Sequence, residues 1–313
     1  MPPTASLVII YNHYHPQNIE RLDNLYLSRF AEVLHLVPFI ECDSGSVISV
    51  GRSSHNFQGY IFDARETLQQ SQSDRFLVIA DDVLLNPTIN GTNVDDKFGL
   101  TSEGDAFLEN MSALSSLQSF WRHTASALSF RVKSQALDIS HVLPPLHEAG
   151  RKIGRLGDAG MNLSRRAVHP NLRAFVYSTL TGPIRKLDGL VRRLLGILGQ
   201  DDWRVRLSRK TDYPFAWGYS DVFVLPKSAL PRFSRLGGAF AAAGLFVEIA
   251  VPTALALSCD VVKTQAPGLT GQALWGKEKS SLDPFNRSLS ALVSEFPATT
   301  LFLHPVKLSE WSE

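Results

Sequence analysis

The sequence predicts an α/β fold, a mostly parallel central sheet flanked by helices, and three observations predict it. Uninterrupted apolar runs occur at 6–11 (SLVIIY), 33–40 (VLHLVPFI) and 76–80 (FLVIA). Strands apolar at every position are those covered on both faces, as in parallel sheets. Helix-like segments at 18–31 and 59–70 alternate with the runs, as right-handed crossovers require. Polar residues gather where each run stops: Asn12-His13-Tyr14-His15, Glu41-Cys42-Asp43 and Asp81-Asp82. The carboxyl ends of parallel strands are where such sheets bind ligands.

The later elements are read the same way. A polar loop is expected at 90–105 and a helix around 104–128. VFVL (222–225) reads as a strand running into a turn at Pro226 and then a helix. FVEIAVPTALAL (246–257) reads as a buried helix with Pro252 as a kink or boundary, and LFLHP (301–305) as a short strand ending at His304.

Composition narrows the function classes. With 313 residues, 44% hydrophobic and 19% charged, the chain can bury a sizeable core and is neither disordered nor fibrous. Its net charge of +1 excludes a polycation that binds nucleic acid through overall charge. Two cysteines, Cys42 and Cys259, make no disulfide framework and no thiolate metal cage, which fits a reduced, cytoplasmic setting. The start, MPPTASLVII, lacks the basic region of a signal peptide. The stretch 236–258 is long enough to span a bilayer. Glu248 and Pro252 near its middle argue instead for buried helix, since a mid-bilayer carboxylate costs about 3 kcal/mol.

Charge is unevenly spread. Residues 151–210 carry 14 Lys/Arg against 4 Asp/Glu, a local net of +10, while the remainder holds 17 against 26, a net of −9. The block reads as an insertion with its own partner. Within it, 184–199 (IRKLDGLVRRLLGILG) sets Ile184, Leu187, Leu190, Leu194 and Leu198 on one helical face beside Arg185, Lys186, Arg192 and Arg193. That pattern fits peripheral contact with anionic lipid headgroups at the inner face of a membrane. An ordinary amphipathic helix with a solvated basic rim has it too.

The sharpest chemical signal is FLVIADDVLLNP (76–87), paired carboxylates where a buried strand stops. Mg²⁺ or Mn²⁺ takes one or two carboxylates and fills its other positions with water and phosphate oxygens. A solvated turn or helix cap uses the same residues. This strand and acidic turn resemble the Asp-x-Asp element of the GT-A glycosyltransferases, with Ala80 standing where the first Asp would be. The resemblance implies a sugar transfer from a nucleotide-sugar donor to a hydroxyl of a glycan or lipid-linked acceptor. It places Asp82 at the metal position and Asp81 toward the ribose or sugar. SLVIIYNHYHP is similar to the family's first strand and loop, giving Asn12 and His13 a donor-binding role, and Asp43 resembles the position that bonds the base. LFLHP resembles the late segment whose histidine, here His304, completes the metal or diphosphate site, with Lys307 close by. On this reading 1–100 is the nucleotide-sugar-binding half, 101–210 a helical, basic insertion or lid, and 211–313 the acceptor-binding and catalytic half.

Two acids are candidates for the catalytic base of an inverting transfer. Glu248 is surrounded by apolar residues, which should raise its pKa toward that of an effective general base; pairing with Lys227 or Arg232 is the structural alternative. Asp221, after a Gly-Tyr-Ser turn, is preferred as an acceptor ligand. Trp217, Tyr219 and Trp275 could stack on the acceptor, and Arg52 or Arg65 could assist the leaving diphosphate. A nucleotidyltransferase shares the acidic cation site but needs a glycine-rich phosphate loop, and NHYHPQNIERL contains no glycine. A noncatalytic module binding membrane or anionic polymer through 151–210 leaves the buried acids unexplained.

Overall fold

The computed structural model describes residues 4–41, 45–168 and 209–312. Twelve strands form three sheets: β1 Ala5–Ile10, β2 Val33–Pro38, β3 Val47–Val50, β4 Arg75–Ala80, β5 Leu84–Leu85, β6 Asp105–Leu108, β7 Ser112–Ala113, β8 Ala216–Trp217, β9 Val222–Pro226, β10 Val261–Lys263, β11 Thr270–Ala273 and β12 Thr300–His304. The central sheet has seven strands in the order β10-β6-β9-β4-β1-β2-β3. All its pairings are parallel except those of β9, which runs antiparallel to both β4 and β6.

The apolar runs are strands because both of their faces are covered. Val8 and Ile10 of β1 face one core and Leu7 and Ile9 the other, the two-residue alternation of a strand. Helices Phe57–Asp63, Leu230–Ala242 and Val247–Ser258 supply the first core. Helix Pro16–Tyr26 and the small sheet β11-β12-β5 close the second.

Two expectations change. The helix expected around 104–128 is instead strand β6, strand β7 and one short helix, Thr124–Ser129. Its apolar residues serve sheet pairing with β9 and β10, a long-range contact that outweighs local propensity. The stretch 236–258 is buried helix as expected, in two pieces joined at Gly244, whose φ of +70° is the left-handed backbone that glycine adopts without steric penalty. Pro252 lies inside the second helix and marks no boundary. Among the described residues no helix is long and apolar enough to cross a membrane. The amphipathic segment 184–199, most of the basic block, and Asp43 lie outside the described residues.

Candidate active site

Four acids and a histidine are brought to the carboxyl edge of the central sheet by four pieces of backbone. Asp81 and Asp82 follow β4 directly, and the Asp81 N–H donates to Ile10 O at 2.9 Å, fixing the turn against the end of β1. Because β9 runs backwards, its beginning lies at the edge where the parallel strands end. Ile79 is paired with Val222, and Ala80 N donates to Asp221 O at 2.9 Å, so Asp221 faces the acidic turn. β5 leaves that turn and pairs antiparallel with β12, Leu84 opposite Leu303. This register carries the end of β12 back to Asp82, where Val306 N donates to Asp82 O at 2.7 Å. Glu248 sits in the first turn of helix Val247–Ser258, and its carbonyl accepts from Gly218 N at 3.1 Å.

His304 is the centre of the cluster. Its Nε2 lies 3.1 Å from Asp82 Oδ1 and 3.8 Å from Asp221 Oδ2. The closer pair makes an ionic contact rather than an aligned hydrogen bond, and His304 Nδ1 is buried with no hydrogen-bond partner among the described residues. Tyr219 supports the imidazole from one side, its ring stacked on Phe302 at 5.7 Å and edge-on to His304 at 5.6 Å, while Trp275 approaches at 5.5 Å.

Burial and mutual charge set the proton affinities. Burial and the adjacent Asp82 charge push Asp81 up to about 7, against the bond it accepts from the Asn12 backbone. Burial, reinforced by Asp221, pushes Glu248 up to about 7. Asp221 is raised by burial as well, with His304 opposing. Burial alone would lower His304, but Asp82 and Asp221 outweigh it and hold the imidazole above its ordinary value. Several proton affinities perturbed together by burial and mutual charge make this edge of the sheet a candidate site for acid–base work.

A cavity of about 390 Å³ opens over this cluster, lined by Asn12, Asp82, Asp221 and His304, with the exposed Trp275, Lys279 and Lys307 at its rim. A second cavity of about 440 Å³ adjoins it and shares Lys279, Pro305 and Lys307. Phe246 and Val247 also line the first cavity, whereas Glu248 stands beside it rather than on its wall.

Other sequence candidates fall elsewhere. His13 is exposed and turned toward His15. Trp217 packs on Trp121 at 5.8 Å, and Tyr219 braces His304. Arg52 pairs with Asp63 and Arg65 with Glu66, away from the cluster. Neither expected partner reaches Glu248: Lys227 bonds Ser71 O, and Arg232 pairs with Glu148 at 3.0 Å. Lys279, Phe246 and His55 line the cavity without having been singled out in the sequence, where each sits in an unremarkable loop or helix-start pattern.

No protein-family model matches the chain, and no curated protein matches it in sequence. Its chemistry therefore has to be read from the donors themselves. Among the described residues no group of three or more His, Cys, Asp or Glu side chains encloses a metal position. Asp82 and His304 offer one carboxylate and one imidazole. That donor set suits a Mg²⁺ or Mn²⁺ ion only if phosphate oxygens and water complete the shell.

Proposed function

We propose that this chain is a GT-A-type glycosyltransferase, moving a sugar from a nucleoside-diphosphate donor to a hydroxyl of a glycan or lipid-linked acceptor. One observation carries the reading: His304, at the end of β12, lies within 4 Å of both Asp82, just after β4, and Asp221, just before β9, at the carboxyl edge of a mostly parallel sheet, in a cavity rimmed by two lysines. The buried Asp82 oxygen that faces His304 without a hydrogen-bond partner among the described residues supports a divalent cation there. Held there by Asp82 and His304, the ion would supply positive charge to a donor diphosphate.

The protein's own groups do the rest. Lys279 and Lys307 face the space a diphosphate would take and offset charge as it departs. Asn12, two residues past the end of β1, also lines the cavity, where the donor's nucleoside half would lie. Glu248 takes the acceptor proton as the hydroxyl attacks the anomeric carbon, its affinity near neutrality matching that task. Asp221 is tied to His304 and serves better to orient the acceptor.

The test is thermal unfolding with UDP, GDP, CMP, UTP and GTP, with and without MnCl₂, on wild type and Asp82→Ala. Stabilisation by a nucleoside diphosphate that Mn²⁺ enhances, with the Mn²⁺ increment lost in Asp82→Ala, is the expected outcome. Stabilisation by triphosphates alone would favour a nucleotidyltransferase, and no response to any nucleotide would remove the transferase reading.

A further inference from the structure

β2 is apolar at every position but one. His35 lies within it, wholly buried, and its imidazole has a partner at each nitrogen. Tyr11 Oη is 2.8 Å from Nδ1, and Asp23 Oδ1 is 2.9 Å from Nε2. A carboxylate oxygen only accepts, so the ring proton sits on Nε2 and the Tyr11 hydroxyl donates to Nδ1. Burial holds the imidazole below its ordinary value against the pull of Asp23, which keeps it neutral and preserves that polarity.

The two partners bracket one short piece of chain. Tyr11 follows β1, Asp23 belongs to helix Pro16–Tyr26, and the exposed loop 12–15 runs between that strand and that helix. A single imidazole on β2 therefore ties both ends of the loop. Asn12, the first loop residue, lines the main cavity, and its backbone N–H donates to the Asp81 carboxylate. Tyr11 is gripped besides by its backbone: its N–H donates to Leu36 O at 3.1 Å, and its carbonyl accepts from Tyr60 Oη at 3.3 Å.

Stability does not call for this arrangement. Apolar residues of similar volume commonly replace a buried polar network at little cost, whereas a fully bonded network admits one geometry of its members. The geometry fixed here is that of a loop facing the candidate site. We infer that His35 is a positioning residue, clamped between Tyr11 and Asp23 so that the loop presents Asn12 to the donor. Resting on the transferase reading, this gives a part in donor affinity to a buried side chain that is no part of the cavity wall.

Amide hydrogen exchange followed by NMR, and titration with UDP and GDP in MnCl₂, test the clamp on the full chain in Tyr11→Phe, Asp23→Asn and Asp23→Leu. Tyr11→Phe removes only the hydroxyl. Its Asn12 amide is expected to exchange about tenfold faster, while amides in the middle of β1 and β4 keep their wild-type rates. The nucleotide that binds wild type should bind this variant about fivefold more weakly, the effect of losing one hydrogen bond. Asp23→Leu should behave alike, and Asp23→Asn, whose side-chain oxygen still accepts from Nε2, should stay at wild type. Unchanged exchange at Asn12, equal acceleration of every amide, or equal behaviour of the two Asp23 variants overturns the clamp. So does a faster loop with no loss of nucleotide affinity. If wild type binds neither nucleotide, the transferase reading falls, and the exchange rates still decide whether His35 holds the loop.

Discussion

Glu248→Gln should make the protein more stable at alkaline pH while disabling it. Burial and Asp221 raise the Glu248 carboxyl from the ordinary 4.5 to about 7. Each tenfold change in proton affinity is worth about 1.4 kcal/mol, so holding Glu248 ionised in the fold costs about 3 kcal/mol. The sign follows from proton counting. Between pH 4.5 and 7 the folded chain holds a proton on Glu248 that the unfolded chain has released, so stability falls as pH rises through that window and is level above it. Glutamine has no such titration. Its advantage over wild type should be absent below pH 4.5, grow through the window and level off at about 2–3 kcal/mol above pH 7. Urea unfolding of both proteins at pH 4, 6 and 8, compared at constant slope, measures it. A difference independent of pH, or one that grows toward acid, would refute the placement of Glu248 in a desolvated, acid-flanked position. A carboxylate that lowers stability where it stands fits the catalytic role proposed for Glu248.

Two further outcomes follow from the same geometry. If Glu248 is the base, transfer should fall about tenfold per pH unit below about 7 and be level above, because the ionised form is the active one; a profile that rises toward acid assigns the proton transfer elsewhere. Gly271→Ala should cost about 1–3 kcal/mol, because a Cβ there would press on Glu109 and on the Phe302 ring that stacks on Tyr219, and circular-dichroism melting reads it directly.

How much was legible beforehand differs between elements. β1, β2 and β4 show in the sequence because a strand covered on both faces must be apolar at every residue, a local property. β6 was hidden: AFL within a polar surround is as compatible with a helix as with a strand, and only its pairing with β9 and β10 decides. A helix after Pro226 and a second at 246–257 show in the sequence, whereas the turn between them at Gly244 is set by backbone conformation rather than hydropathy.

The sequence by itself determined the acids at the strand tips, since desolvating a carboxylate beside an apolar run is costly and such residues sit at the edge of a sheet. It also singled out a late histidine preceding Pro305. Only the tertiary structure decided that His304 reaches Asp82, because that contact depends on β12 pairing antiparallel with β5 across more than 200 residues of chain. It likewise decided that β9 runs backwards and so delivers Asp221 to the same edge. The ring cluster of His55, Trp121, His123, Trp217 and Phe246 belongs to that second kind: four segments distant in sequence, joined by packing that no local pattern encodes.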